Sequence, residues 1–544
     1  MTVGASDVLP ITHSWRKPDN PDAKEGWIWM RRSKRRIMGL MAALLVGTVL
    51  TACGDGGSGA TAGSGDTLRV GVSQGPDSLD PAMAVSEQLS QRFGLWGLYD
   101  RLFTLGPAGE VKGMLAKEWN YSQDGLTLTL NLRDGVKFHD GTPLDAEAVK
   151  ANLDRYRTLT SPLVKARMGV VTEVMVTAPL QVDLTLTSPV PHVPNVLAEA
   201  AGYIINPKAL KDGSNLDLET FGSGPYKLTS FKPGTSLVME RSEDPYWDEE
   251  AGKFKRIEYT GFADFKAMEN ATNTGQIDVV QFLPEYAEAV KNAPGMRIEY
   301  FDQGIGHEFI FNTSVAPLDD PLVRQAMNYA IDRNTITETF FPKSFPRWQY
   351  GREGLPGYDP EVGSTYSYDP AKAKELLVQA GHPDGVNLGE VLVSASTVTG
   401  LNDLLERQLN EAGFTLTMTK TDPYQINTIF AEGKHAANLG FVTSATSPFT
   451  HLAYRFGPGP RNPGGTTAEY GEIVNGMTNK NSDEENAALF AKADRYVVEN
   501  AWSLPIVRFA SPWVMKENLR GLDQNSDYAS SHGPIDMRYA YFEE

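Results

Sequence analysis

The chain of 544 residues holds one thiol, Cys53, and eight histidines, the first side chains to weigh for nucleophilic or metal chemistry. A single cysteine forms neither an internal disulfide nor a Cys-based metal cage. His139 adjoins Asp140 in a turn, while His307, His435 and His451 are scattered singly, without the spacing of a ligand set. Sixty-eight acidic residues guarantee accidental carboxylate pairs, so the pair a glycosidase needs cannot be read from the sequence. No HExxH helix and no GxxxxGK[ST] phosphate loop occurs. Arg324 is a candidate ligand anchor, but it lies at a helix start and reads better as a structural ion-pair residue. No cofactor, no metal and no catalytic residue is expected.

Charge narrows the partners. Lys+Arg number 50 against 68 Asp+Glu, a formal net charge of -18, and no segment after the N-terminal leader is basic enough to reverse that balance. Binding to nucleic acid requires clustered cations that displace counterions from phosphates, so that class is excluded. The length suggests roughly two to four domains with ample core.

The elements that would position any site begin after an N-terminal leader. A basic run, Arg31-Arg32-Ser33-Lys34-Arg35-Arg36, precedes the apolar stretch Ile37 to Leu50 and then Thr51-Ala52-Cys53. A charged segment, a short apolar one and small residues read as an export signal. The apolar stretch of 14 residues falls short of the ~20 that span a bilayer as a helix. Met30 reads as the true start, which leaves residues 1–29 as an over-extended frame. Gly54 to Asp66 has almost nothing to bury and reads as a flexible tether.

From Leu115 to Arg155 the pattern is regular. Gln123-Asp124-Gly125 is a turn, and Leu126, Leu128, Leu130 and Leu132 then alternate with polar residues, the period of a half-buried strand. Asp134-Gly135 reverses the chain, Val136-Lys137-Phe138 reads as a resumed strand, and Asp140-Gly141-Thr142-Pro143 turns it again. Asp145 caps a helix expected to bury Val149, Leu153 and Tyr156. Asp320 followed by Pro321, and Ser482 with Glu485, mark further helix starts.

As ordered text, LAKEW, LRDGVKFHDGTPL and DAEAVKANL resemble the signature region of the family 5 extracellular solute-binding proteins, receptors of dipeptide, oligopeptide and nickel importers. Pro76-Asp77-Ser78-Leu79-Asp80-Pro81, Phe221 to Tyr226, Asp244-Pro245-Tyr246-Trp247, Pro317 to Ala326 and Tyr368 to Gly381 extend the likeness over nearly the whole chain after the tether. Leu50-Thr51-Ala52-Cys53 likewise resembles the bacterial lipobox, in which the Cys thiol is acylated and becomes the new N-terminus.

The resemblance implies an α/β, periplasmic-binding-protein-like type II fold with three lobes, two of which close on the ligand around a hinge. Lobe I would comprise residues 67–98, 221–311 and 503–544, lobe II residues 99–220, and lobe III residues 312–502, after a signal segment 1–52 and a lipidated tether 53–66. It implies a monomeric lipoprotein, held by lipidated Cys53 at the outer face of the cytoplasmic membrane. That lipoprotein would capture a peptide or small solute and pass it to an ABC permease with its ATPase subunits. Peptide-binding members carry W-x-x-D-x-x-x-P, whose Asp pairs with the peptide ammonium. Here Phe441 replaces the Trp and Ser444 the Asp, so Phe441, Ser444 and Thr446 are the implied ligand-binding residues. A hydroxyl cannot neutralise a buried cation, which puts free-amine peptides in doubt. An oligosaccharide or metal chelate is the alternative cargo, and an extracellular hydrolase or a purely structural surface lipoprotein the rival class.

Overall fold

The alternating leucines do form a strand. In the computed structural model, Thr127–Leu132 places Leu128, Leu130 and Leu132 in the core and its threonines and Asn131 half-exposed. It joins Ala116–Tyr121, Gln181–Leu186 and Val171–Ala178 in a four-stranded antiparallel sheet. The structure describes residues 65–85, 92, 94–106, 110–159, 168–282, 284–395, 397–422, 425–442, 452–453, 455–458, 462–522 and 536–544. Cys53, the leader, Ser444 and Thr446 lie outside the described residues. Asp145 caps Ala146–Thr158 by accepting from the Ala148 amide, and that helix buries Val149, Leu153 and Tyr156. The segment Val136–Phe138 is not a strand. The Phe138 amide bonds Thr142 O at 2.9 Å and the Leu144 amide bonds Val136 O at 2.9 Å, so the turn consumes the partners a strand would need.

A second, larger sheet has eleven strands. Its order is Phe414–Thr421, Val386–Ser394, Ala437–Val442, Met296–Phe311, Ser503–Lys516, Val279–Gln281, Thr67–Val72, Arg256–Gly261, Ser236–Arg241 and Tyr226–Lys232, with Phe345–Pro346 beside Ser503–Lys516. Each side contains parallel pairs linked through helices. Val386–Ser394 pairs with Phe414–Thr421 across the helix Leu401–Glu411, and Thr67–Val72 pairs with both Arg256–Gly261 and Val279–Gln281. Such crossovers make this an α/β fold.

The apolar packing is divided. One cluster gathers Leu68, Val70, Leu128, Leu153, Tyr259, Phe301, Trp513 and Met515, and a smaller one, with Met268, Val280 and Val514, lies beside it. Another gathers Phe309, Phe311, Val323, Leu405, Leu504 and Ile506. Among the described residues, only Met296–Phe311 and Ser503–Lys516 contribute to both sides, and the change of allegiance falls after Phe301 and before Trp513. A further cluster, Tyr350, Phe456, Tyr470, Phe490 and Trp502, packs the helices Ala468–Gly476 and Asp483–Glu499. Each fully buried large side chain stabilises by about 1.5–3 kcal/mol, so both sides are held mainly by such burial.

Candidate functional site

Where the two long strands change allegiance, their register slips. They pair from Met296↔Lys516 to Asp302↔Ala510, resume at Gly306↔Arg508, and slip again between His307↔Val507 and Glu308↔Pro505. The residue type at 306 follows from this close approach. A Cβ there would lie 1.7 Å from Val507 O, so only glycine fits. Across the slip, Arg508 Nε stands 2.8 Å from Asp302 Oδ2.

On the other edge of Ser503–Lys516, Phe345 pairs with Arg508 and Pro346 with Val507. The chain then runs through Arg347-Trp348-Gln349-Tyr350-Gly351-Arg352, tied down at several points. The Arg347 amide donates to Ile506 O at 3.0 Å, Arg347 Nε donates to Gln349 O at 3.1 Å, and its guanidinium lies 4.7 Å over the Tyr350 ring. The buried Asp494 carboxylate, on the helix that Ser482 and Glu485 cap as a capping box, accepts the amides of Tyr350 and Gly351 at 3.0 and 2.7 Å. Tyr350 OH donates to Glu308 and lies 2.8 Å from Ser503 Oγ, while Arg455 forms an ion pair with the same buried Glu308.

Electrostatics here are strained by crowding. Burial lowers the pKa of Arg352 and of Arg508; Asp302 opposes this in both, and Arg347 adds to it. Burial raises Asp494 to about 6, against the pull of its amide donors and of Arg347. Burial also holds His307 down at about 4, so its ring is neutral at pH 7. Arg347, Arg352, Arg455 and Arg508 thus share one neighbourhood with Asp302, Glu308 and Asp494, a dense charged cluster at the strand crossing.

The residues implied by the sequence are placed as follows. Phe441 lies in the strand Ala437–Val442, opposite His307, and the last residue of that strand, Val442, pairs with Gly306. That strand therefore ends one strand over from the register slip, immediately before the segment containing Ser444 and Thr446. Arg324 is buried and donates to four backbone carbonyls, Leu318 O at 2.8 Å, Asp319 O at 3.0 Å, Asn500 O at 2.9 Å and Ala501 O at 3.1 Å, rather than forming the expected ion pair. Asn500 and Ala501 follow the helix Asp483–Glu499, whose terminal carbonyls lack intrahelical donors, and Leu318 and Asp319 lie in the turn before Pro321, so the guanidinium satisfies backbone acceptors on both sides. His139 Nε2 lies 2.9 Å from Gly224 O, joining two signature segments. Among the described residues no three His, Cys, Asp or Glu gather as a metal site. Gly71-Val72-Ser73-Gln74-Gly75 has GxSxG spacing, but exposed Ser73 follows a strand into a bend, without the helix a nucleophile elbow needs. Asp302, Arg347, Arg352, Arg455 and Arg508 were also missed. The one sequence signal, for Arg347 and Arg352 alone, is the interleaving of arginine and aromatic residues in the stretch 347–352.

Two mixed α/β halves sharing a pair of long strands, with a charged cluster at the crossing, define a type II periplasmic-binding-protein architecture. A family model described as bacterial extracellular solute-binding proteins, family 5 Middle, matches residues 110–462. The glutathione-binding protein GsiB of Salmonella paratyphi A is 32% identical over 368 residues, covering 65% of this chain and 70% of GsiB. Among solved structures, HbpA2 from Haemophilus parasuis matches with a TM-score of 0.77 at 20% identity, over 88% of this chain and 100% of that one. DppA from Helicobacter pylori, in complex with the peptide STSA, matches with a TM-score of 0.71 at 19% identity, over 88% and 98%. The chain belongs to the family 5 bacterial extracellular solute-binding proteins. It is accordingly a substrate-binding component of solute import.

Proposed function

We propose that this protein is the lipid-anchored receptor of an ABC importer, capturing a peptide or a related small solute between two lobes and delivering it unchanged to the permease. The observation that carries the reading is the pair of long strands shared by two separate apolar cores, broken in register at Asp302–Gly306. A connection of this kind bends more easily than either core, and a solute that prefers the bent form drives closure. The lobe I–III divide then falls within the two strands, near residues 302–306 and 508–510, rather than at 311/312 and 502/503. Residues 99–220 remain lobe II. Cys53 carries the acyl anchor at the outer face of the cytoplasmic membrane, and the receptor acts as a monomer.

The likeness to a glutathione-binding protein and to a peptide-bound structure favours peptide-like cargo. Ser444 in place of the family aspartate favours a cargo that does not present a free ammonium there. The test is calorimetric titration of the purified protein with glutathione, tri- and tetrapeptides, oligosaccharides and metal chelates, with small-angle scattering before and after. Binding of one class, a smaller radius of gyration and recovery of intact solute are expected. Turnover of a bound solute, or binding without compaction, ends the reading. Mass spectrometry of the N-terminal peptide addresses the anchor, which an unacylated Cys53 would disprove.

A further inference from the structure

The turn Gln123-Asp124-Gly125 does more than reverse the chain between the strands Ala116–Tyr121 and Thr127–Leu132. Asn479, from the loop before the helix Asp483–Glu499, seats against it. Asn479 Nδ2 donates to Gly125 O at 2.9 Å, and the Asn479 amide donates to Pro189 O at 3.0 Å, just past the strand Gln181–Leu186. Gly125 has a φ of +75°, and a Cβ there would lie 2.4 Å from Asn479 Oδ1 and 2.7 Å from Pro189 Cβ. The contact, as well as the turn, therefore requires glycine. The Tyr121 hydroxyl is buried against the Asn479 side chain, and Lys480 brings positive charge to Asp124.

The loop that presents Asn479 is held from its own side. Asn486 Oδ1 accepts the Thr478 amide at 3.1 Å, Asn486 Nδ2 donates to Thr478 O at 2.9 Å, and Asn481 Nδ2 donates to Gly476 O at 2.8 Å. All these partners lie between residues 476 and 486, so the loop keeps its shape when the contact parts. Apolar packing does not bridge the junction: Leu128, Leu184 and Leu186 belong to one cluster, Met477 and Phe490 to another. A permanent interface buries a shared apolar seam, whereas a polar one of a few hydrogen bonds suits parts that separate.

We propose that Asn479, seated between Gly125 and Pro189, is a latch that fastens lobe II to lobe III in the closed receptor, so that lobe II sets the balance between open and closed forms. The inference rests on the receptor reading above and adds a second fastening to the strand crossing, where the chain itself joins the lobes. Hydrogen bonds of this number shift a two-form equilibrium without freezing it.

Spin labels at Glu173→Cys and Glu484→Cys, both exposed, test this in purified protein that also carries Cys53→Ser. Double electron–electron resonance reads the distance between lobes II and III, alone and with glutathione. Asn479→Ala is expected to lower the ratio of the shorter to the longer distance about fivefold, the weight of one ordinary hydrogen bond, while the melting temperature moves by no more than about 4 °C. Asn479→Asp, which turns an acceptor toward Gly125 O, should lower the ratio further. Lys480→Glu should lower it at low salt and not at high salt. Two distances whose ratio ignores Asn479 overturn the latch and leave the receptor reading standing. The shorter distance alone in every variant means a fixed interface and also overturns it, as does the longer distance alone in the protein with Asn479 intact. If titration of the solute panel then finds no binding either, the receptor reading falls with it.

Discussion

Two buried polar networks in this molecule differ in a way that separates support from recognition. Around Asp100, which is fully buried, Ser223 Oγ donates at 2.9 Å, Tyr246 OH at 2.5 Å and Trp247 Nε1 at 3.3 Å. Arg538 stands 3.6 Å away and is itself paired with Asp536 at 2.5 Å. Opposite charges alternate, donors meet acceptors, and water is kept out. The cluster at Asp302 differs, because the Asp302 and Arg508 side chains stay partly exposed and one side is wet. The first network fastens residues 536–540 to the segments around Asp100, Ser223 and Tyr246. A network sealed from water has nothing to offer a ligand, whereas one that solvent reaches does.

The contrast implies a ranked set of outcomes. Asp100→Ala strands Arg538 beside one fewer carboxylate, and should cost about 3–5 kcal/mol in chemical denaturation. Pairing it with Arg538→Met should recover part of that loss, and no recovery would mean the charges are not what matters. Gly306→Ala comes next, because its Cβ would meet Val507 O at 1.7 Å. Overpacking of this kind costs about 1–3 kcal/mol, and here it should also weaken solute binding by stiffening or shifting the strand crossing. Unchanged stability and affinity would show that the slip is not a bending point.

The smallest effect is a pH dependence at Asp494. Burial raises its folded pKa from 3.8 to about 6, so the folded chain holds this proton more tightly than the unfolded one. Its contribution is fully present below about pH 4 and lost as pH rises through 6, on the order of 1.4 kcal/mol per unit of separation. Asp494→Asn mimics the protonated form. Melting curves from pH 4 to 7 should show wild type losing stability relative to Asp494→Asn as pH rises, and parallel curves would contradict the assignment.

Local structure was legible where a single element decides it. The alternation at Leu128–Leu132, the caps Asp145 and Asp320 and the box Ser482–Glu485 depend on neighbours within a few residues, and all appear. Val136–Phe138 failed because β character alone does not supply a partner. Arg324 was read correctly as structural but with the wrong kind of acceptor, since backbone carbonyls left without a donor carry no sequence signature. The charged cluster was invisible for a stronger reason. Asp302, Arg347, Arg352 and Arg508 are distant in sequence, and only the pairing of Met296–Phe311 with Ser503–Lys516 assembles them.

That same pairing bears on how the chain is made. Leu504, Ile506 and Val507 complete one core, Val514 completes a second, and Trp513 and Met515 join a third that Leu519, Leu522, Met537 and Ala540 finish, so the end of the chain is needed by all three. A chain emerging from the ribosome carries open strand edges from Thr67–Val72 onward until this late segment arrives, and long-range pairing of this sort is slow. Delayed closure keeps the polypeptide threadable through an export channel, and it makes protection from aggregation a requirement of the journey.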